Sequence, residues 1–399
     1  MNAQSAEAER PAPAPHIYLV AGEESGDRLG AALMAALKRA TQGRVRFSGV
    51  GGSHMAAEGL HSLFPLGDLA IIGFAAIVGS LPKILNRIAE TAEAAIAAKP
   101  DVLVIIDSPE FSHRVAHRVR ARRPGLPIVD YVCPSVWAWR PGRAPAMRAY
   151  VDRVLALLPF EPAAMQRLAG PPTDFVGHPL GEQIADLRPN AEEARRRLCD
   201  PPLLLVMPGS RSGEIHRMAD VFGATVARVA RKVGPLEVVV PAIPRLAGAI
   251  EAAVTGWGVP VRIVTDPAQK HAAFRQARAA LTKSGTSTLE LALAGVPMVA
   301  AYKVSLLEEA VARLMIKAQS AILANLVLGE NVVPELLQRQ CTADRLAEVL
   351  VPLLSDTPER RRQTEAFARL DRLMDIGGKA PSDRAAAVVV QYLRDFSRI

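Results

Sequence analysis

Apolar residues fall into two kinds of pattern along the chain. Short aliphatic and β-branched runs lie at residues 17–20, 46–50, 102–106, 128–131 and 153–157, and a second series lies at 203–206, 237–240, 261–264, 279–281 and 298–301. Between several of them run Ala-rich stretches with apolar positions at helical spacing. This alternation predicts parallel β-α-β units, and two such series predict two doubly wound halves. Gly177-His178-Pro179-Leu180, followed by Leu187-Arg188-Pro189-Asn190, punctuates the chain between them and puts a hinge near residue 180. The expected organisation is a disordered tail at 1–15, an N-terminal domain at 16–180, a C-terminal domain at 181–357, and helices at 358–399 that pack on the lobes and recross to the first.

Size and composition agree with two cores. A chain of 399 residues, 50% apolar, exceeds one ordinary core and fits two domains of roughly 170 to 200 residues with a cleft between them. Cys133, Cys199 and Cys341 are far apart and form no C-x-x-C pair, which predicts a reduced, cytosolic protein. The first fifteen residues contain Glu7 and Glu9 and lack the basic start and apolar stretch of a secretion signal. A net charge of +8 predicts an anionic partner: nucleic acid, a phosphorylated metabolite or an acidic membrane face.

The chemistry sits in the turns after predicted strands. Lys283-Ser284-Gly285-Thr286-Ser287-Thr288-Leu289-Glu290 follows one strand and opens a helix. Free N–H groups at the helix start and the glycine suit a phosphate, and Glu290 two turns on suits ribose hydroxyls. The same residues also read as a plain capped helix with a paired acid. Pro208-Gly209-Ser210-Arg211 follows another strand, where a guanidinium can fork onto a pyrophosphate, or where a structural turn carries a surface Arg.

In the first half, Ala21-Gly22-Glu23-Glu24-Ser25-Gly26-Asp27 and Gly49-Val50-Gly51-Gly52 are tight turns without the G-x-G-x-x-G pattern, so no dinucleotide cofactor is inferred. Asp107-Ser108-Pro109-Glu110 puts two carboxylates just past a strand, where one can deprotonate an acceptor hydroxyl or both can serve a helix start. Pro134-Ser135-Val136-Trp137-Ala138-Trp139-Arg140 holds two of three tryptophans, with Arg143 close behind, as pocket wall or core. From residue 69 to 85, Phe74, Ile77, Val78, Leu81, Ile84 and Leu85 recur at helical spacing beside Lys83 and Arg87; the run is too charged to span a bilayer but suits a headgroup region or a buried face. His113 and His117 lack the Glu and third ligand of a zinc site and read as solvated, and the absence of a D-x-D pair leaves a departing diphosphate to Arg211, Lys283 and helix-start N–H groups.

These motifs, with Leu158-Pro159-Phe160-Glu161, Gly177-His178, Asn325 and Pro334-Glu335, occur in an order spanning nearly the whole chain, and the chain resembles the lipid-A-disaccharide synthases of Gram-negative bacteria. The resemblance implies an α/β fold of two facing Rossmann-like, doubly wound domains of the GT-B type. It implies a metal-independent inverting transfer of 2,3-diacylglucosamine from its UDP donor to 2,3-diacylglucosamine 1-phosphate, forming a β-1,6 bond and releasing UDP. UDP contacts then fall to Gly209, Ser210, Arg211, Lys283, Ser284, Gly285, Thr286, Glu290 and Asn325. Asp107 or Glu110 serves near the acceptor, with Asp107 the favoured base, and many family members have Asp at the position of Glu110. Glu24, Ser25, Gly26, Trp137 and Arg140 fall on the acceptor side. Phe74, Ile77, Val78 and Leu81 become contacts to acidic lipid, placing the protein at the cytoplasmic face of the inner membrane. Neither metal nor cofactor is implied, and the residues carry no signal for an oligomeric state. Two rivals are another UDP-sugar enzyme on the same scaffold, such as a UDP-N-acetylglucosamine 2-epimerase or the peptidoglycan glucosaminyltransferase, and a non-enzymatic RNA- or membrane-binding protein. Nucleic acid is disfavoured because aromatics make up 5% of residues and no recognised motif is present.

Overall fold

The computed structural model describes residues 14–69, 74–304 and 320–396, without the side chains of 74–80 and 396. Residues 1–13 of the expected tail and the side chains of Phe74, Ile77 and Val78 therefore lie outside the described residues. Two compact units are present, one of residues 1–179 and 379–399 and the other of 180–378.

The first unit holds a six-stranded sheet of β1 (His16–Ala21), β2 (Arg46–Val50), β3 (Val102–Ile106), β4 (Ile128–Tyr131), β5 (Arg153–Ala156) and β6 (Thr173–Phe175), ordered β2-β1-β3-β4-β5-β6. Its pairings are all parallel. Both faces are covered, which is why β1 and β3 are apolar without alternation. Ile17, Leu19, Val104 and Ile106 pack with Leu33, Met34 and Leu37 of helix Glu24–Ala40 and with Ala385, Val389 and Leu393 of the last helix, Pro381–Phe396. Tyr18, Val20, Leu103 and Ile105 face Ile88 and Ala92 of helix Phe74–Ala98 and Val115 and Val119 of helix Pro109–Arg122. The chain's last helix thus returns to the first sheet, while Pro358–Ala368 stays in the second unit.

The second unit holds β7 (Leu203–Met207), β8 (Glu237–Pro241), β9 (Val261–Val264), β10 (Ala279–Lys283), β11 (Met298–Tyr302) and β12 (Glu335–Leu337), ordered β12-β11-β10-β7-β8-β9. Leu204 and Val206 pack against Ile215, Met218, Phe222 and Val226 of helix Ser212–Val233. The ten strands legible in the sequence are all present. β6 and β12 were not read; each is three residues long, at a sheet edge and only partly buried. Short edge strands need no long apolar run, so they leave little pattern.

Candidate active site

In the first sheet chain order reverses between β1 and β3, and Ala21 pairs with Ile106. The turns beginning at Gly22 and Asp107 therefore leave from adjacent points at a switch point, where open parallel sheets hold ligands. A Cβ at Gly22 would lie 2.5 Å from Ser108 Oγ, so only glycine lets the two turns approach this closely. Ser25 Oγ donates to Asp107 Oδ2 at 2.7 Å, and the Ser108 N–H donates to Asp107 Oδ1 at 2.7 Å. Asp107 and Ser108 are both left-handed, with φ of 52° and 50°, and the Ser112 hydroxyl donates to the Asp107 carbonyl at 2.6 Å. Such backbone is costly and persists where its surroundings fix it. Gly26 is buried in the adjoining helix, and Glu24 is exposed and paired with Arg28.

Glu110 has different company. It is exposed and ion-paired with Arg143, with Arg114 at 3.5 Å and with Arg140 at 3.6 Å. Partial burial pushes its carboxyl upward, but the hydrogen bond and charge of Arg143, with the charges of Arg114 and Arg140, hold it below its ordinary range. Beside Asp107 lies a cavity of about 200 Å³ lined by Asp107, Pro109, Val132, Cys133, Trp139 and Arg143, the partner of Glu110, among others. Trp139, with Arg140 stacked 4.4 Å from its ring, forms the aromatic part of that wall. Trp137, expected on the acceptor side, instead packs edge-on against Phe160 at 5.0 Å and donates to Glu161 at 3.2 Å. Glu161 also accepts from the Leu158 N–H, and burial pushes its carboxyl up to about 7.

The second sheet repeats the device with other side chains. Chain order reverses between β7 and β10, and Thr282 pairs with Met207, so the 208–211 and 284–286 turns leave side by side. Glu214, buried in the first turn of helix Ser212–Val233, ties them together. It accepts from the Ser210 N–H at 3.0 Å, from Lys283 Nζ at 2.9 Å and from Arg211 at 3.2 Å. Burial pushes its carboxyl up, but Lys283, the Ser210 N–H and Arg211 together hold it below its usual range. Gly209 has φ of 143°, and a Cβ there would stand 2.5 Å from the Glu214 Cβ. Arg211 keeps 77% of its side chain exposed, free to reach a ligand. Ser284 is buried and donates to the Ala321 carbonyl, Gly285 is half-buried, and Thr286 is exposed just before helix Ser287–Leu293, where the Thr288 and Leu289 N–H groups donate to the Gly285 and Thr286 carbonyls.

Glu290, Asn325 and His113 also stand differently from the expectation. Glu290 is paired by both oxygens to Lys270 at 3.1 and 3.2 Å. Asn325 is buried and its amide is used internally: it accepts from the Val332 and Val333 N–H groups and donates to the Val333 carbonyl and Ser320 Oγ. It anchors a loop, and its amide is not free for UDP. His113, read as solvated, is buried 3.2 Å from buried Asp130, while His117 is exposed as read. Helical spacing alone does not show that position 113 faces the sheet. Glu214 was missed because a first-turn acid has an ordinary reading at a positive helix end. Among the described residues no group of three or more His, Cys, Asp or Glu is placed to hold a metal ion, and no helix is long and apolar enough to cross a membrane.

Paired doubly wound units of this kind define a class. The fold is similar to that of Acinetobacter baumannii MurG (TM-score 0.57, 13% identity, 94% of this chain and 99% of that one). It is equally similar to UDP-GlcNAc 2-epimerase from Neisseria meningitidis, solved with UDP-GlcNAc (TM-score 0.59, 12% identity, 95% and 100% covered). At such identities the likeness establishes the GT-B type fold. Sequence carries the rest: the lipid-A-disaccharide synthetase family model matches residues 17–385. The chain is 60% identical to the lipid-A-disaccharide synthase of Nitrobacter hamburgensis over 377 residues, covering 94% of this chain and 95% of that protein. It is 43% identical to that of Rhodospirillum centenum over 380 residues, 94% of each. The chain belongs to the lipid-A-disaccharide synthase family and is a glycosyltransferase.

Proposed function

We propose that the chain transfers 2,3-diacylglucosamine from its UDP donor to the 6-hydroxyl of 2,3-diacylglucosamine 1-phosphate, with inversion and without a metal. The acceptor oxygen bonds to the donor's anomeric carbon as the bond from that carbon to the diphosphate oxygen breaks, and the acceptor proton passes to a carboxylate. Asp107 is that base: its neighbours are a hydroxyl and one N–H, whereas Glu110 is surrounded by three guanidinium groups that lower its basicity. Arg211 and Lys283 meet the charge growing on departing UDP, held in place by Glu214. Gly209, Ser210, Ser284, Gly285 and Thr286 supply close backbone and hydroxyls to the diphosphate. Glu290 meets the ribose through, or after release from, Lys270, and Asn325 acts by anchoring its loop.

Family membership and the adjoining phosphate-suited turns of β7 and β10 carry this reading. Incubation with both acylated substrates should yield disaccharide 1-phosphate and UDP in equal amounts. UDP released without disaccharide contradicts it.

Peripheral attachment to the cytoplasmic face of the inner membrane belongs to the same proposal. Leu81 and Leu85 are 46% and 39% exposed on helix Phe74–Ala98, with Lys83 between them. Exposed leucines beside a cation suit an acidic lipid surface.

A further inference from the structure

The arginines around Glu110 are under-neutralised. Among the described residues Glu110 is the only carboxylate ion-paired with Arg114, Arg140 or Arg143, leaving an excess of about two positive charges. A phosphomonoester carries about −1.5 to −2 at neutral pH. The side chains of Arg114 and Arg140 are 52% and 48% exposed and their pairs with Glu110 are long, so exchanging that partner for a phosphate costs little. Arg143 is 27% exposed and lines the cavity whose wall also contains Asp107.

The cavity is shaped for one polar head. Its volume of about 200 Å³ lies below the ~300 Å³ at which drug-sized ligand pockets begin, room for a sugar but not for acyl chains. Its wall is also strained: Asp107 and Val132, with φ of 52° and 100°, are left-handed, as are Ser108 and Arg140, each next in sequence to a lining residue, with φ of 50° and 52°. For Val132, β-branched and on the cavity wall, this is a marked outlier of the kind that collects at ligand clamps.

We infer that Arg143, with Arg140 and Arg114, forms the site for the acceptor's anomeric phosphate, and that Glu110 is the internal counter-ion this phosphate displaces. The inference rests on the transfer proposed above. In it Glu110 keeps the cluster ordered while empty, and the bound phosphate sets the orientation in which the acceptor hydroxyl is offered to Asp107. The three arginines are positioning and specificity residues, and they select acceptors bearing the phosphate.

The test measures disaccharide formation at saturating donor with two acceptors, the acylated sugar 1-phosphate and the same sugar without phosphate. The wild type should prefer the phosphorylated acceptor. Arg143→Ala should raise KM for that acceptor about 10- to 100-fold, the scale of charge-assisted hydrogen bonds lost, and shrink the preference over the unphosphorylated acceptor by a similar factor, with the Kd for UDP as in the wild type. Arg143→Lys should recover part of the loss. Arg114→Ala, at a half-exposed site where folding is not at stake, should show a smaller loss of the same sign. A wild type indifferent to the phosphate, or variants that impair both acceptors equally, would overturn the phosphate site and leave the transfer intact. Absence of disaccharide from the wild type would overturn the transfer and this inference with it.

Discussion

The two sheets have the same kind of switch point and furnish it differently. At β1 and β3 the turns carry a carboxylate on left-handed backbone, a hydroxyl that holds it, and an arginine cluster beside a cavity. At β7 and β10 they carry glycine, hydroxyls and two cations collected by one buried glutamate. Topology sets where ligands meet a sheet, while the side chains at that edge decide whether a proton or an anion is handled there. Both edges use a glycine where no side chain fits, Gly22 and Gly209, but of these turns only the one after β3 also carries left-handed non-glycine residues, Asp107 and Ser108.

The largest effect should come from the first edge. Asp107→Asn should lower kcat by about 10²- to 10⁴-fold with the fold intact, because the amide keeps the shape and cannot take a proton. Glu110→Gln should change kcat less than about tenfold on the same scale. Steady-state rates of the two variants decide it, and the reverse order would move the base to Glu110.

At the second edge, Arg211→Ala should raise the Kd for UDP about tenfold or more by removing a charge-assisted contact. Its melting temperature should stay that of the wild type, since the side chain is 77% exposed. Calorimetry and thermal unfolding read the two quantities separately.

Glu161 gives a smaller, pH-dependent effect. Burial holds the folded value at about 7, above the ordinary 4.5, so the unfolded chain ionises first and stability is lost as pH rises from 4.5 to 7. Glu161→Gln should remove that loss, gaining on the wild type across this window by up to about 3 kcal/mol. Unfolding in urea at pH 5 and pH 8 measures it, and parallel pH dependence of the two proteins would contradict the burial argument. Least in size, Leu81→Ser with Leu85→Ser should weaken binding to acidic vesicles while the melting temperature holds, as both side chains are exposed. A large fall in melting temperature would return the leucines to a packing role.

The fold was legible because strands buried on both faces are apolar throughout, so ten of the twelve among the described residues stand out as runs, and β6 and β12 do not. Turns that follow such runs are findable for the same reason, which is how Arg211, Lys283 and Asp107 were read. What sequence does not carry is partnership across the sheet. Nothing near Glu214 or Arg143 in the chain says that one will bridge Lys283, 69 positions away, or that the other will meet Glu110, 33 away. Asn325 shows the converse: it was read as a ligand contact, yet its amide is satisfied by backbone seven and eight residues on. Trp137 and Trp139 part for a similar reason: two residues of loop decide which ring lines the cavity and which packs on Phe160.

The central claim is a division of labour, with UDP held at the β7 and β10 edge and the proton handled at the β1 and β3 edge. Titrating UDP into the wild type, Asp107→Asn and Arg211→Ala tests it most directly. The account predicts that Asp107→Asn, though nearly inactive, binds UDP as the wild type does while Arg211→Ala binds it about tenfold more weakly. Equal weakening in both variants would contradict it.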